Sequence, residues 1–155
     1  MTTFESELSR TGYLVYTNKG VSMMPLLREN RDVMLIEKKQ PGVRCRRLDA
    51  VLFRRDNGQY VLHRVLEVRE KDYLIVGDNC FQKEYVRDDQ ILGVMTSVVR
   101  DGRTIKVTDM DYLAYVHLWC DLYPMRFFLL RLRAYLSRVK HLLLRERTQR
   151  TGGRK

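Results

Sequence analysis

Cysteine is scarce in this chain. Cys45, Cys80 and Cys120 are the only three, and none stands in a CxxC pair or at a Cys/His ligand spacing. A zinc site needs clustered ligands and a disulfide framework needs paired sulfurs, so neither is expected, nor any metal or other cofactor. Free thiols in a reducing compartment are the expectation. Long apolar runs are missing too. The longest uncharged run near the C-terminus, Tyr112–Cys120, is followed by Asp121, Pro124, Arg126 and Arg131, whereas a bilayer-spanning helix wants about 20 mainly apolar residues. Residues 1–8 carry Glu5 and Glu7 and no apolar core, which is unlike a secretory signal. Together these absences lead to the expectation of a cytoplasmic protein, peripheral on a membrane at most. No internal repeat or low-complexity tract is visible.

Acidic residues are the scarcer charge, 19 against 29 Lys and Arg in 155 residues. The imbalance is local. Residues 112–155 carry ten basic groups against Asp121 and Glu146, while residues 1–111 carry 19 basic and 17 acidic groups. The basicity belongs to the tail, so a nucleic-acid groove across the body is disfavoured and an anionic partner of the tail is favoured.

Short runs rich in Val, Ile, Leu and Tyr read as strands over 12–17, 32–37, 50–54, 59–68, 73–76 and 91–99. Asp56-Asn57-Gly58 predicts a type I′ hairpin turn within 50–68, and Asp101-Gly102 a second hairpin leading into 104–107. A short helix fits residues 3–10. No strand alternates with a long helix, so the body is expected to be mainly antiparallel β. Asp109 can cap a helix from about Asp111, and Pro124 should break it. Beyond it Phe128, Leu132, Tyr135, Val139 and Leu142 form an apolar stripe, with Arg131, Arg138 and Arg145 on another face. The expected organisation is a β-domain at 1–110 and a basic amphipathic helical tail at 111–155, with 124–147 suited to an anionic membrane surface. Trp119, Tyr112, Tyr115 and Tyr123 suit either a membrane interface or packing on the sheet.

Three segments carry groups with chemistry: Gly20-Val21-Ser22-Met23-Met24-Pro25, then Tyr60-Val61-Leu62-His63-Arg64-Val65, then Gly77-Asp78-Asn79. Each has an ordinary reading alone: a bent loop, a core histidine on a strand, an Asx turn. Together they supply a hydroxyl, a base and a carboxylate. A serine hydroxyl needs a neighbour to take its proton, imidazole titrates near neutrality, and a carboxylate fixes the tautomer. Gly20 permits close backbone approach, Pro25 bends the chain, backbone N–H groups near Ser22 suit an oxyanion, and Met23 and Met24 are placed to line a cleft.

These segments resemble boxes of the type I signal peptidases and the related self-cleaving repressor peptidases. Gly20-x-Ser22-Met23-x-Pro25 is similar to the nucleophile box. Asp49-Ala50-Val51-Leu52-Phe53 is similar to a Gly-Asp-x-Val-x-Phe segment, with Leu48 where glycine is usual. Ile91-Leu92-Gly93-Val94 is similar to the last glycine-bearing strand. Bacterial-type members place a lysine base where this chain has His63. The endoplasmic-reticulum and archaeal branch has His-Arg-Val and Gly-Asp-Asn, as here. The resemblance covers about residues 10–107. It implies a compact, coiled antiparallel β-domain with Ser22 as nucleophile, His63 as base and Asp78 as orienting acid, with Glu84, Asp88 or Asp89 able to replace or assist Asp78. Arg64, Gly77 and Asn79 would support the site. It also implies small substrate side chains near the cut. An N-terminal anchor is not expected, which points to a leader-bearing peptide precursor as substrate, with or without a partner protein delivering it, and no repressor-type DNA-binding segment is expected before Ser22, which weighs against a self-cleaving transcription regulator. The alternative expectation is a module of the same fold that binds peptides without cutting them.

Overall fold

The computed structural model describes residues 3–122 together with Phe128, Arg131, Leu132, Tyr135 and Leu136. Helix α1, Phe4–Thr11, starts at Thr3, whose side chain accepts from the Ser6 amide at 3.2 Å, and ends at Gly12 in the left-handed region at φ 82°. Eight strands follow: β1 Tyr13–Thr17, β2 Val33–Lys38, β3 Ala50–Arg54, β4 Tyr60–Val68, β5 Asp72–Val76, β6 Lys83–Arg87, β7 Ile91–Arg100 and β8 Arg103–Lys106. They form one antiparallel sheet in the order β1-β2-β7-β3-β4-β5-β6, with β8 also on β7. Helix α2, Met110–Asp121, follows β8. The protein is mainly β.

Strand β7 is the hub, because β2, β3 and β8 all pair with it. Gly93 makes that junction fit: a Cβ there would lie 2.6 Å from the Glu37 carbonyl oxygen and 2.7 Å from Ile36 Cγ2. Register shifts at Leu35/Ile36, Leu52/Phe53 and Val65/Glu67 bend the strands. Ala50, Val51, Leu52 and Phe53 are all buried, and alternation sends them to two cores. Ala50 and Leu52 pack with Leu14, Met34, Ile36 and Met95; Val51 and Phe53 pack with Val65, Tyr73, Ile75 and Ile91. A sheet covered on both faces at its middle strand can hold polar groups at fixed depth, and the candidate site uses this.

Three expectations need correction. The 50–68 hairpin exists, but its turn is not type I′: Asn57 has an ordinary φ, only Gly58 is left-handed (φ 84°), and Gly58 N–H donates to the Arg55 carbonyl at 2.8 Å. This is a tight turn closed by one glycine rather than by Asn-Gly together. Strand β6 was not expected, because Lys83-Glu84-Tyr85-Val86-Arg87 is an edge strand with one buried residue, Val86, and lacks a hydrophobic signature. Helix α2 belongs with the body, since the first compact unit is Met1–Asp121. Its Tyr112, Val116 and Cys120 recur every four residues and are buried, while Met110 and Leu118 on the other face are exposed.

The second unit is Leu122–Lys155. Phe128, Arg131, Leu132, Tyr135 and Leu136 are helical and exposed. Val139, Leu142, Arg138 and Arg145, and so most of the expected amphipathic stripe and membrane-facing segment, lie outside the described residues. No helix among the described residues is long and apolar enough to cross a membrane.

Candidate active site

Ser22 lies in the loop between β1 and β2. The loop is pinned from inside by Met23 and Leu27, both fully buried, and Leu27 N–H donates to the Met23 carbonyl at 2.9 Å. Its base is closed by Asp32, a fully buried carboxylate that receives Arg28 N–H and Nε at 2.9 Å each and Arg100 Nη2 at 2.7 Å. Two guanidiniums and one backbone N–H on this desolvated carboxylate outweigh burial and hold its pKa below the usual range. The Ser22 loop is therefore an ordered element.

His63 and Arg64 are neighbours on β4 and point to opposite faces. His63 is buried, and Glu84 Oε1 on β6 lies 3.0 Å from its Nδ1. That oxygen sits off the direction of the ring N–H, so the contact is at ion-pair distance without an aligned hydrogen bond. Catalytic hydrogen bonds are often misaligned before substrate binds. Glu84 is itself gripped by Arg55, at 2.6 Å from Nε and 2.8 Å from Nη2. Burial pushes the His63 pKa down, the Glu84 charge partly offsets this, and Arg55 adds to the lowering, so the ring is neutral near neutral pH. Burial works against the Glu84 charge, yet Arg55 and His63 hold it below the ordinary carboxylate range.

A missing side chain makes the reach from β4 to β6 feasible. Register pairs Arg64 with Val76, so Gly77 follows one position on, beside His63. A Cβ on Gly77 would lie 2.9 Å from His63 Nε2, 2.8 Å from Cys80 Sγ and 2.7 Å from the Ser22 carbonyl oxygen. The imidazole and the Ser22 backbone thus close on the same point above one glycine. Gly20, Ser22, His63, Arg55 and Cys80 line one cleft of about 500 Å³. Tyr16 on β1 and Phe4 on α1 wall it further out, with ring centroids 4.9 Å apart.

Asp78 is placed elsewhere. It is fully buried and accepts a two-pronged bond from Arg64, with Nε at 2.8 Å and Nη2 at 2.7 Å; both side chains are wholly excluded from solvent. The carboxylate against His63 is Glu84, one of the alternatives named above, and Asp78 is committed to Arg64. Asp88 pairs with Lys39 and Tyr73, and Asp89 with Arg87. Met23 is a core residue and Met24 is not among the cleft-lining residues, so the expectation that both line the cleft is corrected: the turn at Val21–Met24, closed by Met24 N–H to the Val21 carbonyl at 3.1 Å, directs Met23 inward. The same bond removes the Met24 amide from the oxyanion donors expected near Ser22. Pro25 is exposed at the far side of that turn. Asn79 N–H donates to the Ser22 carbonyl at 2.7 Å.

Arg55, Gln59 and Phe4 were not singled out by sequence reasoning, and Cys80 was read only as a free thiol. Arg55 gives no motif; its only sequence cue is that it directly follows β3, the strand paired with β4. Among the described residues, no group of three His, Cys, Asp or Glu side chains could hold a metal ion. No family model matches the chain, and no curated protein matches it.

Proposed function

We propose that the protein is a serine endopeptidase that cuts a leader- or signal-like segment, with the coiled β-architecture of the signal-peptidase and repressor-peptidase type. Ser22 is the nucleophile and His63 the general base. Glu84, rather than Asp78, orients the imidazole. The observation that carries the reading is the convergence over Gly77: His63 Nε2 and the Ser22 backbone meet there in one cleft, with Glu84 against the other ring nitrogen.

The chemistry follows from those positions. A carboxylate beside Nδ1 favours the tautomer with its proton on Nδ1, which leaves the Nε2 lone pair to accept the hydroxyl proton as Ser22 Oγ attacks the scissile carbonyl. The imidazolium then returns that proton to the departing amine, and water, deprotonated by the same ring, releases the acyl group. Glu84 stabilises the transient cation. The substrate is an extended peptide. Among the described residues, strand β1 pairs only with β2, and Tyr60–His63 on β4 pair only with β3, because β5 joins β4 from Arg64 onward. Both free edges flank the cleft, and a strand between them would gain main-chain hydrogen bonds without sequence demands.

A fluorophosphonate probe tests this directly. Wild-type protein should take one label at Ser22. Ser22→Ala and His63→Ala should fold normally and lose labelling and peptide cleavage, the latter by on the order of a millionfold in related enzymes. A folded protein that binds extended peptides and takes no label would instead be a peptide-binding module.

A further inference from the structure

Helix α2 reaches the Ser22 loop through a single peptide plane. The carbonyl of Asp78 accepts from Trp119 Nε1 at 2.9 Å, and the N–H of Asn79 donates to the Ser22 carbonyl at 2.7 Å. These are the two ends of one peptide bond, which is planar and resists twisting. Whatever turns the Asp78 carbonyl away from Trp119 must also swing the Asn79 N–H off Ser22. The Arg64 fork fixes the Asp78 carboxylate but leaves this plane free to rotate about the main chain. Tyr115 OH adds a hold on the same residue from the same helix face, donating to Asp78 Oδ2 at 3.2 Å, and Tyr112 OH meets Arg64 Nη1 at 3.2 Å. On the loop side Asn79 Nδ2 donates to the Val21 carbonyl at 3.1 Å, so the turn grips the loop at two successive residues.

We infer that Trp119 of α2 is a positioning residue, which sets the Ser22 loop over His63 by fixing the Asp78–Asn79 peptide plane. The space allows little slack: the Gly77 contacts leave no room for even a methyl group between the Ser22 carbonyl and His63. A rotation that lengthened the Asn79–Ser22 bond would move the loop relative to the ring. The consequence for turnover rests on the Ser22 reading, but the mechanical coupling does not.

Hydrogen exchange of the full-length protein tests the coupling. Trp119→Phe keeps an aromatic ring and deletes the indole N–H; Trp119→Leu deletes the same donor and serves if the first variant fails to fold. Loss of one such bond should speed exchange of the Asn79 amide by about five- to tenfold, while the Leu52 amide in β3 stays as in wild type. Fluorophosphonate labelling of Ser22 should slow by a similar factor with the midpoint of its pH profile unmoved, since His63 is not in the path. Asn79 exchange within about twofold of wild type in a folded variant, or an equal rise at Leu52, overturns the inference. If wild-type protein takes no label while Asn79 protection falls as expected, the positioning stands and the peptidase reading fails.

Discussion

Exchanging Asp78 for Asn and Glu84 for Gln should separate scaffold from chemistry. Asp78→Asn removes the negative charge facing Arg64, and neither side chain has any contact with water. Removing one partner of a buried pair leaves the other charge uncompensated and costs about 3–5 kcal/mol. A domain of this size has a total stability on the order of 5–15 kcal/mol, so the variant is marginal, and its melting temperature should fall by roughly 10–20 °C. Glu84 pairs with Arg55, a cleft-lining residue whose side chain is 34% exposed, so Glu84→Gln should cost only about 1 kcal/mol once solvent screening is counted. The order reverses for chemistry. A Gln cannot stabilise the imidazolium and allows the wrong tautomer, which in a serine triad lowers turnover by up to roughly 10⁴. It also removes the charge that partly offsets the depressed His63 pKa, so the acid limb of the residual activity should move to lower pH. The assay is urea unfolding for stability, and labelling rate per folded molecule against pH for chemistry. If Glu84→Gln labels like wild type while folded Asp78→Asn does not, the orienting acid is Asp78 and the assignment is refuted.

Arg55→Gln should shift the pH profile the other way. Arg55 lowers the His63 pKa, so its loss raises that pKa towards the ordinary 6.5, and the acid limb of labelling should move to higher pH; an unmoved midpoint would show that Arg55 does not act on the ring. Gly77→Ala should abolish labelling and cost about 1–3 kcal/mol of stability, because the added methyl meets the Ser22 backbone carbonyl at 2.7 Å and His63 Nε2 at 2.9 Å; circular dichroism confirms folding, and full labelling of the variant would contradict the placement of the imidazole.

The β-character was legible because strands with a buried face repeat every two residues, and β1, β2, β3, β4, β5 and β7 all show β-branched or aromatic enrichment. What failed to show was what had no apolar signal. Edge strand β6 sets Tyr85 and Val86 side by side between charged residues, which a local reading takes for a loop. Helix α2 was expected from its cap and pattern, but its membership in the body was hidden. Its mean character is apolar nearly all round, so no single face announces which side packs; only the buried Tyr112, Val116 and Cys120 settle it.

The site shows the same division between local and distant information. Ser22, His63 and the Gly77–Asn79 turn were visible as short segments because each carries its own unusual residues. Which carboxylate faces the imidazole is a question about two strands that lie apart in the sheet, and it turns on a residue with nothing to show. Gly77 occupies the place where β5 would otherwise put a side chain between His63 and β6, and by leaving it empty it lets the ring see Glu84. Asp78, next in sequence, is turned the other way and meets Arg64, the residue next to His63 on β4. Adjacent residues on a strand face opposite sides, so His63-Arg64 on one strand and Gly77-Asp78 at the end of the next form two pairs back to back: an empty space beside the imidazole, and a charge beside the guanidinium. Had Asp78 faced His63, the buried Arg64 would lose the carboxylate that now takes both prongs of its guanidinium. The demand of that one buried cation is enough to assign Asp78 to the scaffold and leave the imidazole to Glu84.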